Sequence, residues 1–152
     1  MPTPPRPNPT LVTPATLKRE VCEALLTCPS LAAAVTSASQ MQGFLDAIKA
    51  WTLPAAGVIY EGRTRAHPNE AAKQKTSSVD MHFGVLLAVP TLNSMGYAVE
   101  DPVDELEEVR RAISAIKFSN GRPCIFVSER IMNANSKVTV WVQKWQIATN
   151  VL

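Results

Sequence analysis

The chain has 152 residues, of which 46% are hydrophobic and 18% charged, and a formal net charge of +2. That length suits one domain able to bury roughly two thirds of its unfolded surface, so neither a disulfide framework nor a structural metal is needed to hold it together. The small net charge excludes general nucleic-acid binding by bulk electrostatics, and the low charge content points to surface that a partner covers.

Residues 1–12 form a proline-rich arm, with Pro2, Pro4, Pro5, Pro7 and Pro9. Proline spacing of this kind forbids helix and favours an extended polyproline form reaching about 28 Å. Two readings stand: a terminus without fixed structure, or an arm lying along a neighbouring subunit. The arm has no apolar core and does not read as a signal peptide. No window approaches 18 consecutive apolar residues, so no membrane span is expected and the chain reads as made in the cytoplasm.

A first helix is predicted from Thr13, a suitable N-cap, with Pro14 at the first helical position. Leu17, Val21, Leu25 and Cys28 then recur at helical spacing and mark a buried stripe, which Pro29 closes. Ser39 is expected to cap a second helix carrying Met41, Phe44, Leu45, Ile48 and Trp51 on one face. Leu53-Pro54 ends the helical region, and Ala55–Tyr60 reads as a short strand.

Residues 62–78 read as a long polar loop with Arg63, Arg65, Lys73 and Lys75 against a single acid, Glu70. Structureless loops of this length are uncommon and usually functional or mobile. The next strand is the clearest: Val79, Met81, Phe83, Val85, Leu87 and Val89 alternate without a break. The opposite face changes from Asp80 and His82 to Leu86 and Ala88, which predicts cover on both sides in its second half.

Asp101 is expected to cap a third helix, with Pro102 at its first position and Asp104 and Glu105 in the first turn, where the helix dipole favours acids. Leu106, Val109, Ile113 and Ile116 give its core stripe, and Glu107 and Arg111 stand at the favourable i, i+4 spacing. A strand over Cys124–Glu129, a connection at Asn133–Ser136 and a strand from Val138 to about Thr149 complete the chain. In the last strand Val138, Val140 and Val142 share one face, while Trp141, Trp145 and Ile147 share the other. The apolar face therefore changes near Gln143, which requires either a bulge or a far end buried against a different layer. The element order predicts an α+β domain over residues 13–152: a mainly antiparallel four-stranded sheet with helices packed on one face.

Chemistry is hard to find in this pattern. Cys22, Cys28 and Cys124 are an odd number without paired spacing, which fits buried, reduced thiols. His67 lies in the polar loop, and His82 alternates with Asp80 on a strand. A His/Asp relay would need a nucleophile, and Cys124 is the sole evident candidate. No spaced metal-ligand set or glycine-rich phosphate loop is present, so no catalytic, cofactor or metal residue is assigned. The acids from Asp101 to Glu108 read as dipole complement and solvated face, with an acidic docking edge as the alternative. The basic 62–78 loop reads first as a solvated mobile loop, then as a contact with a protein; it lacks interleaved aromatics for base stacking, so contact with nucleic acid ranks last. The candidate partner contacts are Arg63, Arg65, Lys73 and Lys75 in that loop and Trp141 and Trp145 as anchors, in the core or at a subunit contact.

Four stretches carry a resemblance: Leu17–Leu26, Leu53-Pro-Ala-Ala-Gly-Val-Ile-Tyr-Glu-Gly62, Val79–Val89 after the long loop, and Asp104–Ile113 before a terminal hairpin. Together they resemble the tail terminator family of long-tailed bacteriophages, in particular its Mu-like branch, and are similar to the lambda-type members. The resemblance implies a structural virion protein with no cofactor and no enzymatic activity. It implies a ring, usually of six copies, that caps the tail tube, stops its polymerisation and meets the head connector. DNA would pass through the channel without sequence-specific binding, and the site of action would be the tail or neck of the virion. Head-tail connector or neck completion proteins share this outline and are the first alternative. A small nucleic-acid module using the 62–78 loop, and a thiol enzyme built on Cys124 and His82, are the others.

Overall fold

A computed structural model describes residues 12–31, 34–65, 78–118 and 122–150. Among these residues, three helices flank one five-stranded sheet. In chain order the elements are α1 (Pro14–Leu25), β1 (Val35–Ala38), α2 (Met41–Ile48), β2 (Ala55–Arg65), β3 (Ser78–Pro90), α3 (Val103–Ser114), β4 (Ile125–Ala134) and β5 (Val138–Asn150). A single 3₁₀ turn, Pro29–Leu31, follows α1.

The sheet order is β1-β2-β3-β5-β4. All pairs are antiparallel except β1 with β2. The expected four-stranded sheet thus gains a fifth strand, Val35–Ala38, parallel to β2. Its four residues, Val-Thr-Ser-Ala, are too short and too polar to show alternation, and tertiary pairing alone makes them a strand. The bounds of the expected 62–78 loop also change at both ends: β2 runs on to Arg65 and β3 begins at Ser78. Arg63 and Arg65 therefore lie on a strand, and Lys73, Lys75 and His67 fall outside the described residues, as does the 1–11 part of the proline arm.

Thr13 caps α1 as its sequence predicts: its Oγ1 accepts a hydrogen bond from the Thr16 amide at 3.1 Å, and Pro14 follows. Two other caps differ. Gln40, not Ser39, precedes α2, with no side-chain cap bond. Pro102, not Asp101, precedes α3: its carbonyl accepts the first helical bond, from the Leu106 amide at 2.9 Å, and no side chain caps the helix. Leu106, Val109 and Ile113 of the third-helix stripe are buried as expected, whereas Ile116 lies past the end of α3, which stops at Ser114, and is half-buried.

The core has two layers, and this corrects the expectation of helices on one face. Met81, Phe83, Val85 and Leu87 of β3 join Trp145 and Ile147 of β5 beneath α1 and α3. On the opposite face Ile59, Leu86, Ala88, Val140 and Val142 pack with Phe44 and Ile48 of α2. Gly57 permits this second layer: a Cβ there would lie 2.7 Å from the Phe44 ring carbons and 3.0 Å from the Thr36 carbonyl oxygen. The change of apolar face along β5 has the same origin. Its register with β3 is unbroken from Pro90↔Val138 to Ser78↔Asn150. One end of β5 thus faces α2 and the other faces α1 and α3, with no bulge in its pairing with β3.

Candidate subunit interface

β4 is the last strand of the sheet on the β5 side, so one side of its backbone has no strand beside it among the described residues. Edge strands in monomers are commonly blunted with charge or proline. β4 instead carries Ile125, Phe126, Val127, Ile131 and Met132, each between 40% and 51% exposed. Register opposite β5 assigns their faces. Phe126 opposes Trp145 and Ile131 opposes Trp141 on the α1/α3 side, while Ile125 opposes Gln146 on the other. Ladder irregularities at Val127 and Met132 interrupt the pairing with β5. Such bulges twist an edge away from flat strand addition. The strand thus presents apolar side chains rather than a flat ladder edge.

The strand is fixed to the core from beneath. Gln143, 1% exposed, donates through Nε2 to the Leu106 carbonyl at 2.8 Å and to Glu129 Oε1 at 2.9 Å. Its Oε1 accepts the Trp145 indole N–H at 3.3 Å. One buried amide thus ties α3, β4 and β5 together with every polar atom matched, the condition under which such a network specifies a unique arrangement. Sequence reading marked Gln143 only as the place where the apolar face changes. Its pairing with an α3 carbonyl and a β4 carboxylate depends on tertiary proximity, and no local pattern encodes it.

A second apolar surface lies at the end of the sheet where β3 finishes. Residues 91–99 fold back on themselves: the Asn93 amide donates to the Tyr97 carbonyl at 2.8 Å and the Val99 amide to the Thr91 carbonyl at 3.1 Å. Asn93 Oδ1 accepts from the Met95 and Tyr97 amides at 2.9 and 3.0 Å. Gly96 supplies the positive φ of +84° that the tip requires. Thr91 fastens this small hairpin to the β4–β5 turn through the Asn135 and Lys137 carbonyls. The tip presents Met95 at 77% and Tyr97 at 66% exposure, with Val103 at the start of α3 at 67%. Glu100, Asp101, Asp104 and Glu105 line a surface depression with Val99 and Val103 where β3 ends.

The residues singled out from sequence are placed as follows. Trp145 is a core residue, and Trp141 is half-buried beside the same cluster. Arg63 is exposed on β2, next to Thr64, whose hydroxyl lies 2.6 Å from His82 Nε2. Arg63 is not brought near Trp141 by the sheet register, since they pair at opposite ends of β3. The thiol relay has no geometry: His82 stands on the α2 side of the sheet and Cys124 packs into the α1/α3 core. Burial pushes the Cys124 thiol up to about 12, and the neighbouring Glu20 carboxylate adds to the rise. A thiol so held supplies no thiolate near neutral pH. Among the described residues no His/Cys/Asp/Glu group could hold a metal ion, and no helix is long and apolar enough to cross a membrane.

A protein-family model described as "Phage tail terminator protein" matches residues 19–151. No curated protein matches the chain. The chain belongs to the phage tail terminator family, whose role is structural and lies in phage tail assembly.

Proposed function

We propose that this member of the tail terminator family assembles into a closed ring on the end of the tail tube, stops its growth and offers the opposite face of the ring to the head connector. Family membership over nearly the whole chain carries this reading, and the apolar edge strand β4 supports it. An exposed apolar edge is a hazard in a free monomer, and a closed ring removes it for every copy at once. Six copies, as implied by the family resemblance, is the expected stoichiometry. The ring lies in the virion tail or neck, with the DNA passing through it without sequence-specific contact.

Arg63, together with Arg65, Lys73 and Lys75, is proposed to meet acidic groups or carbonyls of the tail tube. Reversing charge at Lys73 and Lys75 tests this against contact with DNA. Loss of tube docking fits the first role; complete tails that fail to retain or pass DNA fit the second. Localisation within purified particles tests the reading as a whole. The chain is expected at the head-proximal end of the tail, and its presence at the distal tip or its absence from the particle would reject the reading.

A further inference from the structure

We infer that neighbouring copies join head to tail, β4 of one copy packing on the 91–103 surface of the next. The inference rests on the ring reading above and adds the identity of the two surfaces. Twelve large hydrophobic residues are exposed among the described residues, and ten of them fall in just two groups. Five lie on β4, and five, Leu92, Met95, Tyr97, Val99 and Val103, lie on the hairpin and the start of α3. A second copy of the chain supplies both surfaces at once.

Charge selects one group as the partner of the other. Residues 95–106 contain four acids, Glu100, Asp101, Asp104 and Glu105, and no basic residue, while Glu107 beyond them is ion-paired with Arg110 and Arg111. Across residues 122–137, Arg122, Arg130 and Lys137 stand against Glu129 alone, a net of +2, and Glu129 already accepts the Gln143 amide. Hairpin against hairpin would set acid against acid and β4 against β4 would set base against base, whereas the cross pairing sets Arg130 toward Asp104 and Glu105.

Direction excludes a closed two-fold pair as the main contact. The β4 edge faces along the hydrogen-bonding direction of the sheet, while the hairpin continues past the end of β3, so the surfaces face different ways. Two unlike surfaces facing different ways build rings or open helices, not isologous dimers. The bulges at Val127 and Met132 disfavour strand addition, which leaves side-chain packing, with Met95 and Tyr97 seated against Val127 and Ile131.

The test uses two full-length variants, Tyr97→Asp and Ile131→Asp, each retaining one intact surface and each checked for folding by circular dichroism. Sedimentation of each alone is expected to show self-association at least about tenfold weaker than wild type. Mixing them should yield a dimer and nothing larger, because only one productive contact remains. Unchanged assembly of either folded variant, or a mixture that stays monomeric, overturns the inference. If Ile131→Asp fails to fold, Arg130→Glu and Asp104→Lys replace the pair. Each is expected to weaken assembly alone and to restore it when both are in one chain; no restoration overturns the inference. Electron microscopy separates the two levels. Closed rings that persist in the variants sink the contact and leave the ring, while a mixed dimer beside open wild-type filaments keeps the contact and sinks the ring. A wild type that stays monomeric at high concentration and on tube ends removes both.

Discussion

Phe126 and Trp145 meet edge to face, their ring centroids 5.3 Å apart and their planes at 78°. Phe126 is 40% exposed and Trp145 is 1% exposed, so this pair joins the surface of the edge strand to the centre of the core. Beyond area burial, such a pair is worth about 0.5–1.5 kcal/mol. The strand proposed to hold the next subunit is thus preorganised before any partner arrives, which lowers the ordering entropy of association.

Trp145→Ala is expected to cost about 3–5 kcal/mol of folding stability, measured by urea denaturation. The substitution removes the largest fully buried side chain and leaves Gln143 Oε1 without its indole donor. Assembly should weaken with it, because β4 loses its aromatic support. A variant as stable and as assembled as wild type would show that Trp145 anchors nothing.

Gln143→Leu tests the buried amide in isolation. The volume is nearly kept, but the Leu106 carbonyl, the Glu129 carboxylate and the Trp145 N–H all lose their partner. The exposed Glu129 carboxylate returns to water, but the Trp145 N–H is left unsatisfied in the core at a cost of about 1–3 kcal/mol, so a fall in stability is expected although the new side chain is apolar. An equal or higher unfolding midpoint would mean that the network contributes no net stability.

Gly57→Ala is expected to destabilise by about 1–3 kcal/mol, the usual cost of overpacking. The added methyl would overlap the ring of fully buried Phe44 and approach the Thr36 carbonyl, forcing α2 away from the sheet. Combining it with Phe44→Leu should recover part of the loss. Independent, additive effects in that double variant would count against the proposed contact.

These interiors explain how far the sequence could be read. The α1 cap, the α3 stripe and the two long alternating strands are local patterns, and each appears where its spacing predicts. The parallel strand β1 is not local: four half-polar residues become a strand only because β2 lies beside them. The second core layer was visible in outline, as apolar residues on the opposite face of β3 and in the change of face at Gln143. Its meaning depended on Gly57 admitting Phe44, which is a tertiary fact. Basic residues and tryptophans stand out in the sequence as partner contacts, whereas the run from Ile125 to Met132 looks like an ordinary buried strand until the strand order puts β4 at the edge.

The thiols give a pH dependence. Burial raises Cys22, Cys28 and, to about 12, Cys124 above the ordinary 9.0. A group raised on folding contributes stability that is complete below its unfolded value and is lost as pH rises toward the folded one. Stability should therefore decline from about pH 9 toward pH 12, and Cys124→Ser should flatten that decline. Alkylation of Cys124 in the folded protein at pH 8 is expected to be negligible, becoming rapid in denaturant; rapid labelling of the native form would contradict the burial argument.

The most direct test of the ring-and-cap account is the length distribution of tail tubes polymerised in the presence and absence of this chain, read by electron microscopy. Added chain is expected to halt growth and leave a single ring at one tube end, and Ile131→Asp is expected to remove both effects. Tubes that grow to the same lengths with no bound ring would contradict it.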